Sequence, residues 1–112
     1  MNQRTPEHGA DEERYSVVKG RRWRQQDPSL PAEVAEVLRS HLGRGRSAVG
    51  KAKRAADDPA PHRNRVNLAK HGLGERGTPW WEQSETQKRE RWERALRDLA
   101  ALDHAALDQA RD

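Results

Sequence analysis

Apolar and polar positions follow two rhythms along this chain. Between Tyr15 and Arg24, Tyr-Ser-Val-Val and Arg-Arg-Trp-Arg form two short runs joined by Lys19-Gly20, which reads as a β-hairpin. Glycine supplies the positive φ that a two-residue turn needs. A loop of that length sets Val18 opposite Arg21 and Ser16 opposite Trp23. Val18 and Trp23 then share one face, and Tyr15, Val17, Arg22 and Arg24 the other. A lone hairpin is marginal in water, so this one is expected to lie against a helix.

From Pro31 the period lengthens to that of a helix. Leu30, Val34, Val37, Leu38, Leu42, Val49 and Ala52 fall on one side of a segment predicted to run from Pro31 to Ala56. Asp27-Pro28-Ser29-Leu30-Pro31 marks its start, with Asp or Ser as cap and Pro in the first turn. Gly43, Gly45 and Gly50 weaken the segment, each by up to about 1 kcal/mol relative to Ala, and place a bend at Gly43–Gly45. Small residues at Gly45, Ala48, Ala52 and Ala56 allow a second helix to approach closely. That helix starts at Pro59 or Pro61, after the Asp57-Asp58 turn, and runs to about His71. Val66, Ala69 and Leu73 face back onto the first, and Gly72 is read as its left-handed terminator.

The stretch His71 to Trp81 then gathers three glycines, a proline and two of the four tryptophans. In a chain with no Phe and one Tyr, such a cluster is where the fold should collect. Trp80 and Trp81 either close the core, each burying about 150–250 Å², or stack on nucleic-acid bases. At least one is expected inside, and Trp23 is weighed the same way. The run Gly72-Leu73-Gly74-Glu75-Arg76-Gly77 matches G-x-G-x-x-G, but a dinucleotide loop follows a strand and opens a helix. Here a helix precedes it and Thr78-Pro79 follows, so it reads as a turn-rich loop.

Beyond the loop, Ser84-Glu85-Thr86-Gln87 has capping-box spacing and opens a charged helix over 82–112. Glu85–Arg89, Glu90–Arg94 and Glu93–Arg97 are spaced as i,i+4 pairs. Trp92, Leu96 and Leu99 form a narrow apolar stripe, able to dock on the helical hairpin or on a second copy. The chain is thus predicted to be mainly α, with an N-terminal β-hairpin packed on an antiparallel helical hairpin, a Gly/Trp loop, and a charged C-terminal helix. Its divisions are a disordered acidic tail over 1–14, a helical core with the hairpin over 15–81, and the amphipathic helix over 82–112.

Composition sharpens this picture. With 32% hydrophobic and 36% charged residues and a mean hydropathy of −1.27, the 112 residues are poor in core-forming side chains. A marginal monomer, or one completed by a partner, is expected. There is no Cys, so disulfides and thiolate metal sites are excluded. No apolar run approaches the roughly 20 residues needed to span a bilayer, and the acidic N-terminal stretch does not read as a signal peptide. The expectation is a cytoplasmic protein of bacterial type.

The net charge of +4 is unevenly spread. Residues 1–13 carry a net −3, residues 73–112 a net −2, and residues 14–72 set 14 Lys/Arg against five Asp/Glu. No acidic residue falls between Val37 and Ala56. Arg39, Arg44, Arg46, Lys51, Lys53 and Arg54 fill the arc of the first helix opposite its apolar stripe. With Arg21, Arg22, Arg24, Arg63, Arg65 and Lys70 they outline a phosphate-binding footprint. A solvated helix face or a surface for an acidic protein fits the same pattern. No base-reading motif stands out, so nucleic-acid contact should be largely independent of sequence. His8, His41, His62, His71 and His104 are dispersed, and no metal site, cofactor or catalytic arrangement is expected.

Two blocks are distinctive together: Gly20-Arg21-Arg22-Trp23-Arg24 with Asp27-Pro28 and Pro31, and Leu73-Gly74-Glu75-Arg76-Gly77 with Pro79-Trp80-Trp81. Over about Tyr15 to Trp81 the chain resembles a group of short bacterial proteins sometimes labelled "biopolymer transporter Tol". The resemblance implies a compact helical unit and brings no activity or catalytic residues to carry over. A membrane-energised component would need a spanning segment, which this sequence does not carry. The reading is a non-catalytic protein that associates with nucleic acid through a basic helix face. The alternative is a protein-interaction module or homodimer using the C-terminal helix.

Overall fold

The computed structural model describes residues 12–111. Strands β1 (Tyr15–Val18) and β2 (Arg21–Arg24) precede helices α1 (Ala32–Arg54), α2 (Ala60–Leu73) and α3 (Glu85–Arg111), with one 3-10 turn at Trp80–Glu82. The predicted fold class is present: a mainly helical molecule with an N-terminal antiparallel hairpin on its helices. The expected acidic tail lies largely outside the described residues. Its last part is held, since Glu12–Arg14 are helical and the Glu12 carbonyl accepts from Gln25 Nε2 at 2.9 Å.

The hairpin has the predicted register, with Ser16 facing Trp23 and Val18 facing Arg21. Lys19 and Gly20 both take positive φ, 54° and 77°, as a mirror-image turn requires. One face meets the loop, where Tyr15 and Trp81 lie edge to face at 5.6 Å. On the other, the α2 residue Lys70 lies 5.5 Å from the Trp23 ring centroid. Val17 and Val18 stay exposed, and Trp23 is 42% exposed rather than part of the core. The hairpin attaches through rings and cations instead of aliphatic burial.

Helix α1 runs without interruption through Gly43–Gly45. At Gly45 α2 comes close, because a Cβ there would meet Val66 Cγ2 at 2.8 Å and the His62 carbonyl at 3.3 Å. Val37, expected inside, is 45% exposed, while His41 is buried. Helix α2 ends at Gly74, not Gly72; Gly74 has φ 86° and Glu75 N–H returns to the Lys70 carbonyl at 2.9 Å. Gly72 serves packing instead, since a Cβ there would sit 2.6 Å from Ala95 Cβ and 2.9 Å from Leu38 Cδ2.

That contact brings in α3. Ala95 and Leu99 join Leu38, Leu42, Ala69 and Leu73 in one buried cluster. The Trp92–Leu96–Leu99 stripe therefore docks on its own chain: Leu99 is fully enclosed, and Trp92 and Leu96 pack half-buried against the same core. A helical hairpin of small residues leaves one side uncovered, and α3 covers it. Residues 15–81 and 82–111 accordingly share one core. The capping box is reciprocal, with Gln87 N–H donating to Ser84 Oγ and Ser84 N–H to Gln87 Oε1. None of the three anticipated i,i+4 pairs closes to 4 Å; Glu85 pairs with Lys88 at 3.5 Å.

A buried polar clasp locks the loop between hairpin and helices. Asp27 is 1% exposed and, rather than capping α1, accepts from Ser29 N–H and Oγ and from Arg91 Nη2 at 2.8 Å. Arg91 also donates to the Gly72 carbonyl and to Gln83 Oε1. Asp27 N–H reaches the Leu73 carbonyl at 2.8 Å, and the buried Trp80 donates from Nε1 to the Gln25 carbonyl at 3.1 Å. Burial alone would raise the Asp27 pKa, but the Ser29 hydroxyl, Arg91 and the Ser29 N–H outweigh it and hold the carboxyl below its ordinary value.

Candidate nucleic-acid interface

The cations of α1 fall into two lines. Arg39, Arg46 and Lys53 recur every seventh residue, so they drift only about 20° per step and are spaced by about 10.5 Å. Arg44 and Lys51 form a shorter line on the other flank, and Arg54 lies between. All six are exposed. Among the described residues, no carboxylate lies within 4.0 Å of Arg39, Arg46, Lys51, Lys53 or Arg54. Arg39 donates to Gln26 Oε1 at 3.0 Å, a neutral partner that leaves its charge uncompensated. Exposed Arg63 on α2 likewise has no carboxylate within that distance.

Other predicted members are engaged inside the molecule. Arg65 pairs with Asp103 at 2.8 Å, and Arg44 approaches the same carboxylate at 3.6 Å. Both guanidinium groups also reach His41 Nδ1, each at 2.8 Å. A guanidinium can only donate, so Nδ1 accepts and the ring is neutral. Burial lowers the His41 pKa most, Arg44 and Arg65 lower it further, and Asp103 partly opposes them. Arg22 lies over the Tyr15 ring at 3.9 Å. Arg24 lies over Trp81 at 5.7 Å and donates to the Gly77 carbonyl at 2.8 Å. Arg24 thus ties the hairpin to the loop, while Arg22 packs within the hairpin.

A groove of about 560 Å³ lies between the hairpin and the two helices, lined in part by Val18, Trp23, Arg24, Arg46, Lys70 and Glu75. It brings the exposed Trp23 indole together with cations from α1 and α2. Arg21, exposed near the hairpin turn, lies over the Trp23 ring at 4.8 Å. The Lys70 pKa is lowered by burial first, then by Arg76 and Arg46, with Glu75 opposing. Sequence reasoning listed Lys70 with the basic residues and Trp23 with the aromatics. It could not join them, because the hairpin's position on α2 is a tertiary matter. Of the other tryptophans, Trp80 is buried, and Trp81 is half-buried against Tyr15, Trp80 and Arg14.

A second cavity of about 380 Å³ holds His71, Gln87, Glu90, Arg91, Arg94 and Asp98, charges of both signs around the end of the clasp. Among the described residues, no cluster of three or more His, Asp or Glu is placed to hold a metal ion, and no helix is long and apolar enough to cross a membrane. The glycine run of residues 72–77 begins within α2 and continues as turns, without a strand before it or a helix opening inside it. No protein-family model, curated protein or solved structure matches the chain.

Proposed function

We propose that this protein is a non-catalytic binder of nucleic acid that takes hold of phosphates through the outer flank of α1. The supporting observation is that five of the six α1 cations lack a carboxylate within 4.0 Å among the described residues, and that three of them stand in a line. A solvated surface normally intersperses both signs; this one carries a single sign from Val37 to Ala56. Phosphate contact of this kind releases counterions and does not read bases, so affinity should be salt-dependent and nearly indifferent to sequence.

The test is fluorescence anisotropy of a labelled duplex oligonucleotide with wild type and with the double charge reversal Arg46→Glu/Lys53→Glu. Binding should be abolished by the reversal and weakened steeply by added salt. Affinity that ignores both the reversal and the salt would dispose of the reading.

A further inference from the structure

We propose that the groove between the hairpin and α1–α2 receives an unpaired nucleic-acid strand, with one base stacked on Trp23 and the adjoining phosphates held by Arg46 and Lys70. This rests on the phosphate-binding reading of α1 and narrows it to a site and a strand type. Large rings are scarce in this chain, and Trp23 is the tryptophan left most open, 42% exposed, while Trp80 is enclosed at 7%. The hairpin's opposite face does the docking, through Tyr15 and Arg24. Over the Trp23 ring lie Arg21 at 4.8 Å and Lys70 at 5.5 Å.

Chemistry selects the ligand. An exposed indole with cations over its ring suits a π-face attached to an anion, which is what a nucleotide in a strand offers once the exposed Arg21 side chain swings off the ring to a phosphate. Bases inside a duplex are stacked on each other and cannot reach the ring, so the strand must be unpaired. Glu75 is the one carboxylate lining the groove among the described residues, and its attraction to Lys70 does not cancel the effect of Arg46 and Arg76. Arg46 stands both in the groove and in the Arg39–Arg46–Lys53 line, so a backbone following that line arrives at Trp23.

The experiment compares a labelled oligothymidylate with a duplex of equal length, titrated by anisotropy against the full chain carrying Trp23→Leu, Trp23→Phe or Lys70→Gln. Losing one base–aromatic stack corresponds to a drop of at least about fivefold. Trp23→Leu should weaken oligothymidylate binding by that much and leave the duplex within about twofold. Trp23→Phe, which keeps a ring, should recover most of the loss. Lys70→Gln, which leaves the indole in place, should also cost the single strand more than the duplex; it decides the matter if Trp23→Leu fails to give a wild-type circular dichroism spectrum. Equal losses on both strands, or no loss on the single strand, would overturn the groove. Displacement of oligothymidylate by polyglutamate with no dependence on Trp23 would overturn it too, since charge alone would then be binding. If wild type binds the duplex but not oligothymidylate, only the groove falls. If it binds neither, the phosphate-binding reading falls with it.

Discussion

The inside of this molecule and the outer flank of α1 treat charge in opposite ways. At the clasp, Asp27 and Arg91 are enclosed, and no described buried side-chain nitrogen or oxygen lacks a hydrogen-bond partner. Along α1, Arg39, Arg46 and Lys53 are exposed and, among the described residues, have no carboxylate within 4.0 Å. The first arrangement specifies how hairpin, loop and α3 meet. The second contributes little to that assembly and is therefore available to a ligand.

Breaking the clasp should have the largest effect. Removing one member of a buried, hydrogen-bonded ion pair costs about 3–5 kcal/mol because the other charge is left stranded. Arg91→Ala should therefore lower the melting temperature by more than about 10 °C, measured by circular dichroism. Asp27→Ala should do likewise, and the double variant should cost clearly less than the sum. A loss equal to the sum would mean that the two residues act separately.

The next largest effect is at Gly72. Gly72→Ala must push α3 away from α2 and displace Leu38 of α1, and should cost about 1–3 kcal/mol in urea denaturation, although alanine is the better helix former. A stabilised Gly72→Ala would show that α3 does not approach α2 as closely as described.

Acid separates the two regions further. Asp27 has a native pKa below its ordinary 3.8, so its contribution is complete above that value and is lost as pH falls through the native pKa. His41 is held below its ordinary 6.5 by burial and then by the arginines. Its neutral-state contribution is complete above about pH 6.5 and is lost as pH falls toward the native value. Urea stability should thus begin to decline below about pH 6.5 and decline again below about pH 4. His41→Gln should shrink the first step and spare the second. His71, whose pKa burial and then Arg76 and Arg24 also lower, keeps that step from vanishing.

What the sequence disclosed follows the range of the forces involved. Lys19-Gly20 set the hairpin register and Ser84/Gln87 opened α3, because both act within a few residues. The basic flank of α1 was legible for the same reason, as helix periodicity is local. The clasp was not: Asp27 and Arg91 are 64 positions apart, and Asp27 read as an ordinary helix cap. Gly72 was mistaken for a terminator because the crowding at its Cα comes from Ala95 and Leu38 on other helices. The Trp92–Leu96–Leu99 stripe was recognised, but an apolar stripe does not say whose surface it covers. The pattern left Trp23 between core and stacking ring; it is 42% exposed, with Arg21 and Lys70 over it.

The smallest stability effect belongs to the α1 flank, and there the central claim is most exposed. Neutralising Arg46 and Lys53 to Gln should leave unfolding within about 0.5 kcal/mol of wild type. The decisive measurement is the slope of log binding constant against log salt concentration for a duplex, taken for wild type and for this double variant. Each lost phosphate contact removes about 0.9 from the slope, so a flattening of roughly 1.8 is predicted. An unchanged slope would mean that these two side chains do not touch phosphate, and would contradict the account.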